Sequence, residues 1–214
     1  MGLFDLFRRR PSICDSQSLA DFVDQQAAFV VQKGIYEYSR ARAGHYAKVL
    51  FREAAFLDAV EQSRWRAYPL GLAMVGEVVE GVLRPGYRDD RLRGVAAVRE
   101  LVLDVFDRYP VPAQLDGETW RASRVELAHR LELIGLHPVK RVIDIPQTLV
   151  TVYFELMPIH EKLRGRDFPT IHNYLKVVLC NVHEELTRKI DAPAVVGALL
   201  ADAGTQFSDP ERPR

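Results

Sequence analysis

The chain is short of the features that usually announce a function. It has two cysteines, Cys14 and Cys180, and no Cys-x-x-Cys. A zinc ribbon and a thioredoxin-type redox pair are therefore excluded. No run of about 18 apolar residues occurs, so no membrane-spanning helix is expected. There is no net charge, because 29 basic residues face 29 acidic ones. That balance argues against whole-protein attraction to nucleic acid or anionic lipid, and any such contact must be local. Among the seven serines none has a glycine two residues away on both sides, which removes the nucleophile elbow of the α/β-hydrolases. The phosphate-binding Gly-x-x-x-x-Gly-Lys-Ser/Thr loop and the dinucleotide-binding Gly-x-Gly-x-x-Gly turn are missing too. His160-Glu161 and His183-Glu184-Glu185 begin the His-Glu-x-x-His zinc motif without completing it. No repeat of 30–45 residues is visible, which disfavours a helical solenoid.

What is present reads as a globular helical chain. Its 214 residues are 48% hydrophobic and 27% charged, and folding of such a length buries about 70% of the extended-chain surface. Apolar residues recur at helical spacing almost throughout. Ser18 and Asp21 suggest a capping box for a first helix reaching about Arg42, with a boundary at Gly44. A second helix is expected to about Arg64. Pro69 suits the first turn of a third over 69–84, apolar on more than one face and hence central. A fourth runs from about Asp90 to Tyr109. A fifth is capped by Asp116 and stops at Gly135. Residues 139–156 are rich in Val, Ile, Thr, Tyr and Phe, which also suits strands. A lone hairpin would have no sheet to join, so the segment is read as helix with a kink at Pro158. Asp167 is placed as the cap of a helix to Ile190, and a last short helix runs to Ala203. The expectation is an all-α, helix-bundle-like single domain of seven to eight helices. Residues 1–14 form an amphipathic segment and linker, 15–204 the helical domain, and 205–214 a mobile tail.

The chemistry-bearing residues are few. Glu126-Leu-Ala-His129 is half of a carboxylate di-metal signature, and its required second half is absent. The pair is read as structural, and no cofactor is expected. His172 and His183 are eleven residues apart, on one face of a helix but separated by about 16 Å of rise, too far to share one ion. Cys180, His183 and Glu184 form the best local cluster, since i+3 and i+4 positions lie over the cysteine. A buried structural cysteine is the simpler reading. These residues are the candidates for the alternative reading of the chain, a small helical enzyme or ligand-binding protein with an interhelical pocket, metal-dependent or using His as acid/base.

Local charge offers more. Arg40, Arg42, His45, Lys48 and Arg52 form a basic stripe with tyrosines among them, and nucleic-acid binding is disfavoured by the charge balance. Intrahelix ion pairs are expected to neutralise part of it. The N-terminal decamer places Leu3, Phe4, Leu6 and Phe7 before Arg8, Arg9 and Arg10, a composition suited to an interface between apolar and anionic phases, while Leu3, Phe4 and Phe7 also suit docking on the protein's own core or on a second copy. A signal peptide has the reverse order, so the expected compartment is the cytoplasm, with membrane association through this segment. N-myristoylation is not supported, because Leu6 stands where Ser or Thr is needed. The expected function is a non-catalytic interaction or regulatory protein, with a membrane or protein partner contacting residues 1–10. The apolar richness of 69–84 and 143–157 further suggests a homodimer.

Overall fold

The computed structural model describes residues 12–206. The chain enters it through Ile13, which is buried and bridges to Ile190. Three backbone bonds close this corner: Ser12 and Ile13 N–H donate to the Lys189 carbonyl at 2.9 and 3.1 Å, and Asp191 N–H to the Ile13 carbonyl at 2.8 Å. Asp15 then starts the first helix. Its carboxylate accepts from the Ser18 N–H at 2.7 Å, and Ser18 Oγ accepts from the Asp15 N–H at 3.2 Å. The capping box is thus Asp15–Ser18 rather than Ser18–Asp21, because the Ser18 hydroxyl turns back to the helix start.

Helix α1 (Ser16–Val31) passes through a π-helical turn, Gln32–Glu37, into α2 (Tyr38–Ala43). The 28 residues from Ser16 to Ala43 make one continuous rod of about 42 Å. The wide turn has a visible cause. A Cβ on Gly34 would lie 2.1 Å from Tyr153 Oη. Tyr153 and Tyr174 both donate to the Val30 carbonyl, at 3.2 and 2.9 Å. The backbone is locally widened around two inserted phenols, a usual setting for a π-bulge. Gly44 ends the rod at φ 54°, a conformation that favours glycine.

A 3₁₀ turn (Gly44–Tyr46) and the short α3 (Ala47–Leu50) lead to α4, which runs unbroken from Ala54 to Leu83. Here the sequence reading is corrected. Pro69 does not begin a helix; it lies inside one of 30 residues. Its missing N–H forfeits one bond to the i−4 carbonyl, a cost offset by burial of nearly every side chain from Ala67 to Val79. Helix α4 is the axis of the fold, packed against α1, α5 (Arg91–Asp107), α6 (Gly117–Ile134) and α9 (Phe168–Lys189). Elements of the same chain therefore enclose the apolar run 69–83, and its richness no longer argues for a second copy.

Asp116 caps α6 as expected, accepting from the Thr119 N–H at 2.7 Å. The ambiguous stretch is helical: a 3₁₀ segment, Val142–Thr148, then α7 (Val150–Glu155). No strand occurs among the described residues. The helix does not kink at Pro158 but stops at Glu155. Its last two carbonyls, and one just past its end, are taken by Arg164 Nη1, which donates to Phe154, Glu155 and Met157 at 2.9, 2.9 and 3.0 Å. Arg164 closes α8 (Glu161–Arg164), and α10 (Ala192–Gln206) ends the described chain, past the expected end at Ala203. Asp167 precedes α9 as anticipated but makes no side-chain cap. Its carboxylate accepts instead from Tyr38 Oη and pairs with Arg42 at 3.0 Å, tying α9 to α2.

Candidate functional site

The residues singled out for chemistry do not converge. Cys180 is exposed, against the expectation of a buried thiol, as is Cys14. His183 is half-buried and Glu184 exposed. His172 stacks near Phe168, and its Nε2 is buried without a hydrogen-bond partner. Burial, with Lys176 as a second influence, holds its pKa below the usual imidazole value. Glu126 pairs with Arg130 at 2.8 Å, while His129 faces solvent. Among the described residues no group of three His, Cys, Asp or Glu side chains could hold a metal ion. The decamer with Leu3, Phe4, Leu6, Phe7 and Arg8–Arg10 lies outside the described residues.

Two carboxylates that sequence reading passed over organise the centre instead. Glu77 and Glu80 are the only charged side chains in the apolar run 69–83. That was the available signal, since a carboxylate in a buried helix requires partners. Glu80 is buried and grips Arg84 with two parallel bonds of 2.7 Å. Tyr87 Oη adds a third at 2.8 Å. Arg84 also donates to the carbonyls of Ile134 and His137 at 2.9 and 2.7 Å, and Arg91 donates to that of His137 at 2.8 Å. The cluster thus satisfies the end of α6. It keeps Arg84 more firmly charged, chiefly through the Glu80 hydrogen bonds. Burial first, then Glu80, pushes the Tyr87 phenol well above its usual value.

Glu77 faces a cleft of about 230 Å³ between α4, α9 and the segment 139–145. Lys140 Nζ lies 2.8 Å from Oε1 as an ion pair without an aligned hydrogen bond, and His137 Nε2 lies at 3.8 Å. His183 lines the same cleft with Arg141 and Ile145. Here one of the sequence candidates shares a cleft with the half-buried Glu77 carboxylate. No serine or cysteine lines it; it offers charge and a small volume.

Exposed apolar and basic side chains also lie together in sequence at the far end of the α1–α2 rod. Residues 44–57 form a tip between the rod and α4. Phe51 pins it edge-on against Tyr36 and Phe56, with ring centroids 5.0 and 5.1 Å apart. Nothing in α3 is buried. Tyr46 and Val49 are 61% and 58% exposed. Arg40, Lys48 and Arg52 are exposed around them. The expected intrahelix pairs do not form: among the described residues no ion pair engages these three cations. Arg42 differs, being held by Asp167 across to α9.

No helix of the described residues is long and apolar enough to cross a membrane. Comparison with known protein families, with curated proteins and with solved structures finds no match to this chain.

Proposed function

We propose that this chain is a non-catalytic helical interaction protein that docks peripherally on an anionic membrane surface. The observation that carries the reading is the tip, where apolar Tyr46 and Val49 project among Arg40, Lys48 and Arg52, cations without ion-pair partners among the described residues. Apolar side chains entering a headgroup layer while nearby cations meet phosphates is the physics of an interfacial contact. Each basic residue near such a surface contributes about 1 kcal/mol, so the contact is weak and reversible. The sequence expectation for residues 1–10 joins this reading as a second basic–apolar element. Its attachment at Ser12 and the tip at Gly44 lie at opposite ends of the rod. Both can rest on one surface when the rod lies parallel to it. Co-sedimentation with phosphatidylserine-containing vesicles tests the proposal. The full chain should bind them at low salt and leave neutral phosphatidylcholine vesicles unbound, with Arg40→Glu/Lys48→Glu/Arg52→Glu losing the binding.

A second reading is favoured by one observation, the Glu77 carboxylate facing a cleft shared with Lys140 and His183. It makes the chain a binder of a small polar ligand. A ligand-dependent rise in Tm that Glu77→Gln abolishes would support it.

A further inference from the structure

A cleft of about 370 Å³ lies between α4, α6 and α7, within the size range of small-molecule sites. Helix α7 packs chiefly on α9 and on the segment Val142–Thr148, which leaves a gap between it and the α4–α6 pair. The α6 residues on the cleft, from Thr119 to Arg130, fall at the 3–4 spacing of one helix face. Its apolar wall is only partly covered by the fold. Val152 is 40% exposed, Ala122 is exposed and Leu156 half-buried, beside the buried Leu70 and Leu127. Two arginines against one glutamate, Glu126, leave the cleft one net positive charge. Arg66 is exposed and has no hydrogen bond or ion pair among the described residues. Arg130 Nη2 pairs with Glu126 at 2.8 Å, but its Nε is buried without a hydrogen-bond partner. Such a donor costs free energy until an acceptor reaches it. The hydroxyls of Thr119 and Ser123 are already committed, to Asp116 and to the Thr119 carbonyl. The open polar capacity of the cleft is therefore cationic.

We propose that this cleft binds an aliphatic monocarboxylate, its head on Arg66 and Arg130 and its tail along Leu70, Val152 and Leu156. Three observations select this class. The first is charge. One net positive charge matches a single carboxylate, whereas a dianionic phosphate would bring a second negative charge against Glu126. The second is the state of the donors. A carboxylate has two oxygens, so one can supply the acceptor that Arg130 Nε lacks while the other meets Arg66. The third is the wall. No aromatic side chain among the described residues lines the cleft, so it offers aliphatic contact and no ring to stack on. A tail laid over the exposed part of Val152 and Leu156 removes apolar surface from water. The inference goes beyond membrane docking, and the cleft shares no residue with the tip or with the Glu77 cleft. It also gives Glu126, a metal candidate in the sequence, a different part: it holds Arg130 at the cleft.

Calorimetric titration of the full chain with dodecanoate, below its micelle concentration, tests the proposal. Saturable one-to-one binding is expected. Arg66→Glu, at an exposed position, should weaken it at least about tenfold, since it removes a charge-assisted bond and adds a like charge. Val152→Glu sets a charge on the wall that takes the tail and should weaken binding comparably, with circular dichroism unchanged in both variants. Dodecyltrimethylammonium, which has the same tail and the opposite head charge, should not bind. Absence of saturable dodecanoate binding would overturn the proposal. So would a folded Arg66→Glu that binds as wild type does, or tighter binding of dodecyl phosphate than of dodecanoate. Arg40→Glu/Lys48→Glu/Arg52→Glu should bind dodecanoate as wild type does; loss of binding there would place the carboxylate at the tip and overturn the cleft. Dodecanoate binding does not depend on vesicle binding by the tip, so the two proposals fail separately.

Discussion

At the C-terminal end of α4, Glu80 is met by Arg84 and Tyr87, and Arg84 in turn by two carbonyls at the end of α6. At its N-terminal end, α4 follows a tip whose Arg40, Lys48 and Arg52 meet no carboxylate among the described residues. Both regions are rich in charge, but only the first is removed from water. Charge taken into a core must be paired, because an uncompensated buried ion costs several kcal/mol. Charge left in solvent needs no partner and gains little from one. Pairing therefore marks where the fold is held, and unpaired charge beside exposed apolar groups is the feature on which the proposed docking rests.

The largest way to break this contrast is alkali. Burial is the first cause of raised pKa values at Tyr38, Tyr68, Tyr87, Tyr109, Tyr153 and Tyr174. Hydrogen bonds to Asp24 add to it at Tyr68 and Tyr109, and Glu80 adds at Tyr87. Each folded pKa lies above the unfolded value near 10, so the stabilisation is whole below about pH 10 and is lost as pH rises further. Phenolate absorbance from the buried Tyr68, Tyr87 and Tyr153 should appear in one cooperative step with loss of helical circular dichroism. Gradual ionisation of a fully helical protein would contradict their burial.

Next in size is Glu80→Ala. It strands Arg84 and should cost about 3–5 kcal/mol, a fall in Tm on the order of 10 °C. Smaller is Gly34→Ala. Alanine is the better helix former, but its Cβ would meet Tyr153 Oη at 2.1 Å, and overpacking of about 1–3 kcal/mol decides the sign. Adding Tyr153→Phe should recover part of the loss in denaturant titration; no recovery would place the strain elsewhere. Smallest is Arg40→Glu/Lys48→Glu/Arg52→Glu, which should leave stability within about 0.5 kcal/mol per site, since the tip's charges support nothing within the fold.

Sequence reading and structure agree most closely where periodicity and caps carried the signal. The helical class, the boundary at Gly44, the Asp116 cap and the stop at Gly135 were all legible. Pro69 was misread because local rules price its lost hydrogen bond, while burial along α4 overrides it. Asp167 held a cap's position but was claimed by Tyr38 and Arg42, 129 and 125 positions away in sequence (167 − 38 and 167 − 42), which no local pattern reveals. The basic stripe was visible as composition. That Arg40, Lys48 and Arg52 of this stripe have no ion pair among the described residues required the fold, because Glu37 and Glu53 offered partners on paper. Glu77 and Glu80 were the readable clue left unused: two carboxylates in an apolar helix announce partners, though not which residues supply them.

The most direct test is therefore whether the unpaired tip meets anionic lipid while the paired core plays no part. Co-sedimentation of the full chain with phosphatidylserine-containing vesicles should be strong at low salt and fall as salt rises. It should be lost in Arg40→Glu/Lys48→Glu/Arg52→Glu with circular dichroism unchanged. Wild-type protein that stays in the supernatant, or a tip variant that sediments as well as wild type, would contradict the membrane-docking function.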